Sequence, residues 1–175
     1  MKASEALVAD AAIGLAAGLV ATNLTGPIQN LLYRLTPEPV KRQEERVRPG
    51  SPTQVAAKKV AGALGARLDD SQIETAATAI HYGSGAPWGI FYAFLRRQSG
   101  MTPAGAAFAT GSSMSLILDE ALTPAMGFSA PDRDYPTLTH LRGFAALLAF
   151  GAIAAATAEI LYRLTRTTPQ AQSRS

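Results

Sequence analysis

Residues 75–126 read as two apolar segments joined by a short basic turn: TAATAIHYGSGAPWGIFYAFL, then RRQSGMTP, then AGAAFATGSSMSLILDEALTPAMG. Each segment is about as long as a helix must be to cross the hydrocarbon of a bilayer. Each also carries ionisable groups that hydrocarbon disfavours, His81 in the first and Asp119 with Glu120 in the second. A hairpin of membrane helices with one polar half satisfies both facts. It predicts an all-α chain, a polytopic membrane bundle of about four transmembrane helices with one short amphipathic helix.

A chain of 175 residues leaves room for a single membrane domain and none for a separate catalytic module, so no enzyme is expected. Mean hydropathy is only +0.09, because polar residues are concentrated in residues 36–51 and after Arg166. Elsewhere Ala and Gly are frequent, and small residues let helices approach where lipid supplies no hydrophobic drive. No cysteine is present, which excludes a disulfide framework and thiolate chemistry. The net charge of +3 comes mainly from one basic connection, a poor basis for a nucleic-acid partner. The expected partner is the lipid bilayer, with a homo-oligomer or another membrane protein beside it, and no cofactor is expected. At the start, Lys2 is set against Glu5 and Asp10, and the apolar run outlasts a signal's length, unlike a cleavable signal peptide.

Spans are expected near residues 11–35, 72–95, 103–124 and 138–164. In the first, Gly14 and Gly18 form a Gly-x-x-x-Gly pair that flattens one helix face for close packing, and Gly85 and Gly89 repeat that spacing in the second. Pro27 predicts a kink or break in the first span, and Gly83, Gly85 and Pro87 predict a local unwinding beside His81. Tyr33 with Arg34, and Trp88 to Phe94 before Arg96 and Arg97, have the composition of membrane-interface anchors. Residues 36–51 read as a solvated polar connection. A helix over residues 52–68 starts at Ser51-Pro52 and carries Val55, Val60, Leu64 and Leu68 on one face. That face suits a helix lying on a membrane surface, and equally one packing on the bundle. The tail at residues 167–175 is expected to be disordered. The endings Asn30-Leu-Leu-Tyr-Arg-Leu-Thr and Glu159-Ile-Leu-Tyr-Arg-Leu-Thr echo each other. A duplicated unit of opposite orientation would explain that, but recurrent interface anchors explain it more simply.

An even number of spans puts both termini on one side. The basic residues cluster in residues 36–70, so the positive-inside rule places that connection in the cytoplasm. Measured from that surface, His81 lies roughly 15 Å deep, Asp119 and Glu120 roughly 6–12 Å, and His140 near the surface. Asn23 and Gln29 fall in the same half. Ionisable groups within a membrane usually face the bundle interior. His81 with Asp119 or Glu120 then forms either an acid/base pair that relays protons or binds a cation, or a structural clasp between two helices. A metal site from His81, His140, Asp119 and Glu120 lacks any tight ligand spacing. Glu159 and Asp10 read as interfacial carboxylates near the far surface. Ser112, Ser113 and Ser115 have no histidine in a convincing relation for nucleophilic chemistry.

The stretches GLAAGLVATNLTGPIQNLLYRLTPEP, AIHYGSGAPWGIFYAFL, LDEALTPAMGFSAPD, LTHLRGFAALLAF and AEILYRL resemble, in order and spacing, the YagU-like family of bacterial inner-membrane proteins of unknown function. The likeness covers most of the chain outside residues 41–70 and departs at Asp119-Glu120, where that family carries a histidine-containing segment. It implies a multi-pass inner-membrane protein and supplies no catalytic residues. Within that frame the chain is a structural, accessory or regulatory membrane component. The competing readings are a small channel or proton-coupled transporter using the polar half-site, an intramembrane metal-dependent enzyme, and a water-soluble four-helix bundle.

Overall fold

The computed structural model describes residues 3–166, and all regular structure among them is helical. The elements are α1 (Ala3–Arg34), α2 (Glu38–Val47), α3 (Pro52–Ala63), α4 (Asp70–Arg97), α5 (Pro103–Met114), α6 (Thr123–Ala125) and α7 (Thr137–Arg166), with a π-helical stretch, Ser115–Leu122, joining α5 to α6. The tail at residues 167–175 and Lys2 lie outside the described residues. Local chemistry accounts for the starts. Asp69 accepts from the Gln72 amide at 2.8 Å while the Gln72 side chain accepts from the Asp69 amide at 3.0 Å, a reciprocal cap that opens α4. Thr102 accepts from Gly105 N–H at 3.1 Å, with Pro103 in the first turn, and opens α5.

The four long rods α1, α4, α5 with its π-helical extension, and α7 run alternately up and down. Helix α1 packs most extensively on α4 and α7, and α5 packs on α7. Glycine sets the first of these contacts. A Cβ on Gly14 would sit 2.6 Å from the Gly89 carbonyl oxygen, one on Gly18 would fall on the Ala86 carbonyl, and one on Gly85 would fall on the Thr22 hydroxyl. Gly89 in turn has no room because the Gly14 carbonyl and the Gly18 backbone lie against it. A second pair of glycines, Gly111 and Gly151, does the same between α5 and α7. A Cβ on Gly111 would meet the Leu147 carbonyl at 2.5 Å, and one on Gly151 the Ala107 carbonyl. Apart from Gly85, which meets a side chain, these glycines make backbone-to-backbone contacts that no larger residue permits.

The interior is built from alanine. Ala17, Ala21, Ala106, Ala146, Ala154 and Ala158 are fully buried, with Tyr92 and Phe150 as the large side chains among them. The big aliphatic and aromatic groups face outward instead: Leu15, Leu19, Val20, Leu24 and Leu31 from α1, Phe108 from α5, Leu116 and Ile117 from the π-helical stretch, Ile160 from α7. A water-soluble bundle has the opposite arrangement, with leucine-sized residues inside. Two helices are long and apolar enough to cross a membrane, Ser4–Arg34 with mean hydropathy 1.7 and Thr137–Thr165 with 2.0. Helix α4 has the length, at 28 residues, but not the same hydropathy.

Several local expectations change. Helix α1 continues through Pro27, and α4 through Gly83, Gly85 and Pro87, without a break. Both helices keep their hydrogen-bonded course through the prolines, so the expected break and unwinding do not occur. Residues 36–51 are not simply a connection: they fold as α2, with Pro39 in its first turn and Glu44 buried. Its inner face is held by charge pairing, which an apolar periodicity does not reveal. The helix expected over residues 52–68 stops at Ala63. It buries Ala56, Ala57 and Ala61, while Val60 and Leu64 stay exposed, Leu64 at 79%.

Candidate functional site: a one-sided polar vestibule

At the end of the bundle where α1 and the π-helical stretch finish and α4 and α7 begin, the rods splay around a half-open cavity of about 790 Å³. Helices α2 and α3 close one flank. The wall includes Gln29 and Tyr33 from α1, His81 from α4, Asp119 and Glu120 from the π-helical stretch, and His140 and Arg142 from α7. Five of the six polar residues singled out from the sequence are not isolated from one another: Gln29, His81, Asp119, Glu120 and His140 share this wall. Asn23 is absent from the wall and accepts a hydrogen bond from the Tyr82 hydroxyl at 3.1 Å.

The partners differ from those expected. His81 makes an edge contact with Tyr82, ring centroids 5.5 Å apart, and no hydrogen bond joins its ring to Asp119 or Glu120. The histidine that meets a carboxylate is His140. Its Nδ1 lies 2.9 Å and 2.8 Å from the two Glu120 oxygens, and its Nε2 lies 3.0 Å from the Asp132 carbonyl oxygen. A carbonyl only accepts, so Nε2 carries a hydrogen, and a further proton must lie between Nδ1 and Glu120. The pair therefore holds one proton more than a neutral imidazole beside a free carboxylate. Whether that proton sits on nitrogen or oxygen does not change the count.

The π-helical stretch makes this meeting possible. An i→i+5 bond from Thr123 N–H to the Leu118 carbonyl, with the Thr123 hydroxyl on the same oxygen at 2.7 Å, widens the turn that carries Asp119 and Glu120. Glu120 turns to α7. Asp119 faces Gly143, where a Cβ would lie 3.4 Å from its Oδ2, and it forms no hydrogen bond or ion pair among the described residues. Lys59 on α3 donates to the Met126 carbonyl at 3.3 Å, a cation at the C-terminal end of this rod. In the following loop, burial and the neighbouring Glu120 push the Asp132 carboxyl above the usual carboxylate range.

On the other flank, Glu44 is 2% exposed and its carboxylate is surrounded by donors. Arg142 Nη2 reaches both oxygens at 2.9 and 2.8 Å, the Thr139 hydroxyl donates at 3.0 Å, and Arg48 stands 3.6 Å away. The Arg142 guanidinium also donates to Thr36 at 3.2 Å and lies over the Tyr33 ring, 5.0 Å from its centroid. The Tyr33 hydroxyl donates to Glu45 at 2.8 Å. Glu44 and Arg142 have no place among the polar positions read from the sequence. The available signal is Arg142 itself, an arginine inside an apolar run, which needs a counter-charge from somewhere.

The opposite end of the bundle is tied shut. Arg96 pairs with Glu159 at 2.7 Å, and the Tyr92 hydroxyl donates to the same carboxylate at 3.2 Å. Arg97 stands 3.4 Å from Asp10 and 5.3 Å from the centre of the Tyr162 ring. Glu159 and Asp10 are thus interhelical partners rather than lone interfacial carboxylates. Among the described residues no three His, Asp or Glu side chains converge as a metal-ligand set.

Fold and site together define a helical bundle with an acidic, one-sided vestibule and an ion-paired floor. No model of a protein family matches the chain, and neither does any curated protein or solved structure.

Proposed function

We propose that the chain is a four-span, non-enzymatic protein of the bacterial cytoplasmic membrane, accessory or regulatory in role, whose vestibule takes up a proton or small solute from one side. The observation that carries this reading is the reversed placement of residues, alanine and glycine inside and leucine, valine and phenylalanine outside. In lipid that arrangement costs nothing, because tails are as apolar as leucine, and close packing of small residues holds the helices together. On this reading α4 and α5 count as spans, with His81 and Ser84 of α4 lining the vestibule and Arg96 held in the ion-paired floor. The likeness to the YagU-like family belongs to the same proposal and points to the same membrane. The basic residues of α2 and α3 favour a vestibule open to the cytoplasm.

A channel or proton-coupled transporter is the second reading, favoured by the His140–Glu120 pair with its bound proton and by the unpaired Asp119. It requires the Arg96–Glu159 and Arg97–Asp10 contacts to open in a second state. Proton or ion flux in liposomes separates it from the accessory role.

The absence of cysteine makes the topology directly testable. Ser84 lines the vestibule and Leu19 faces outward near the middle of α1. In inverted membrane vesicles a membrane-impermeant maleimide is expected to label Ser84→Cys readily and Leu19→Cys hardly at all. In intact spheroplasts Gln98→Cys, in the turn at the other end, is expected to label while Ser84→Cys does not. Equal labelling of Ser84→Cys and Leu19→Cys in both preparations would refute the embedded bundle.

A further inference from the structure

We infer that the vestibule is a binding site for a small organic cation, an alkyl- or arylammonium whose charged head sits at Asp119. This rests on the reading of the cavity as an open, water-accessible vestibule. The wall has two characters. One part is acidic: Glu44, Glu45, Asp119, Glu120 and Asp132 against Arg48 and Arg142. Five carboxylates stand against two arginines, so the wall is acidic on balance: Arg142 and Arg48 both face Glu44, and His140 pairs with Glu120. Asp119 makes no ion pair or hydrogen bond among the described residues and lines the cavity beside Gly143. An unpaired carboxylate on the wall of a partly apolar cavity attracts a cation.

The second character is apolar. Met114, Leu118, Leu147 and Phe150 line the same cavity, as do Phe128 and Tyr135. A bare metal ion has no use for such a wall, and among the described residues no three ligating side chains converge to replace its water. The volume, about 790 Å³, is that of a pocket for an organic molecule. A carboxylate beside aromatic and aliphatic surface is the chemistry that holds an ammonium head with an apolar body, by charge and by cation–π attraction.

The test uses the full-length chain in an uncharged detergent, titrated calorimetrically with benzyltrimethylammonium chloride at constant ionic strength. Saturable binding is expected for this cation, with none for sodium benzenesulfonate or for sodium chloride alone. Asp119→Asn should weaken binding about tenfold, or ~1.4 kcal/mol, while Asp119→Glu restores most of it and both variants keep the wild-type elution profile. Absence of saturable binding, equal binding of the sulfonate, or an unchanged affinity in Asp119→Asn would overturn the inference. If Ser84→Cys labels as described above and the cation still fails to bind, the vestibule stands and its ligand class falls. If Ser84→Cys does not label, the reading beneath both falls.

Discussion

With Arg142 replaced by alanine, the purified chain is expected to lose about 3–5 kcal/mol of stability, the range for removing one partner of a buried ion pair. Glu44, at 2% exposure, is then left with only Thr139 and the more distant Arg48 as donors. The loss should be felt first in α2, which this contact holds against α7, and α2 should become accessible to protease while the four rods still pack. Removing the charge at the same time tests the cause. In Arg142→Met with Glu44→Leu, no buried carboxylate is left without a partner, and most of the loss should be recovered. Unfolding in a mixed-micelle denaturation series measures both variants. A cost below about 1 kcal/mol for Arg142→Ala, in the range of exposed ion pairs, would show that the clamp is not buried in solution.

Gly18→Leu is expected to separate α1 from α4. A first carbon on this residue already coincides with the Ala86 carbonyl, and backbone cannot swing aside as a flexible side chain does. Overpacking of ordinary side chains costs about 1–3 kcal/mol, and a clash with backbone should reach or exceed the top of that range. Gly83 offers the control on the partner helix, since nothing lies within 4 Å of a Cβ there. Gly83→Ala should leave stability unchanged or raise it by about 0.5–1 kcal/mol through the helix preference of alanine. Yields of folded monodisperse protein, followed by denaturation of whatever survives, distinguish the two. Equal behaviour of Gly18→Leu and Gly83→Ala would mean that the glycine seam does not carry the packing of α1 on α4.

Much of the fold is legible in the sequence because its signals are local. Thr102-Pro103 and Asp69 with Gln72 announce helix starts through bonds that span three residues, and the Gly14/Gly18 spacing marks a flat face whatever it will meet. Helix α2 is not legible in that way. Its buried residue is a glutamate, and its reason for burial lies 98 residues away in Arg142. The alanine face of α3 is hidden for a related reason: larger apolar residues beside it, Val60 and Leu64, point to the wrong side.

The candidate site divides along the same line. That histidines and carboxylates from several helices share one half of the bundle follows from where they stand along their helices, and helical rise alone measures this. Which of them touch depends on rotation about each helix axis, and neighbours such as Asp119 and Glu120 point about 100° apart. A π-helical turn alters that phase without leaving a mark in the apolar pattern. The amino-acid order by itself thus determined an all-helical chain, the starts of α4 and α5, the glycine spacing of α1 and the end of the bundle at which the polar residues gather. The tertiary structure alone decided that Glu120 meets His140, that Asp119 is left without an ion pair beside Gly143, and that Glu44 is drawn inward by Arg142, because those contacts are set by how separate helices are turned toward one another.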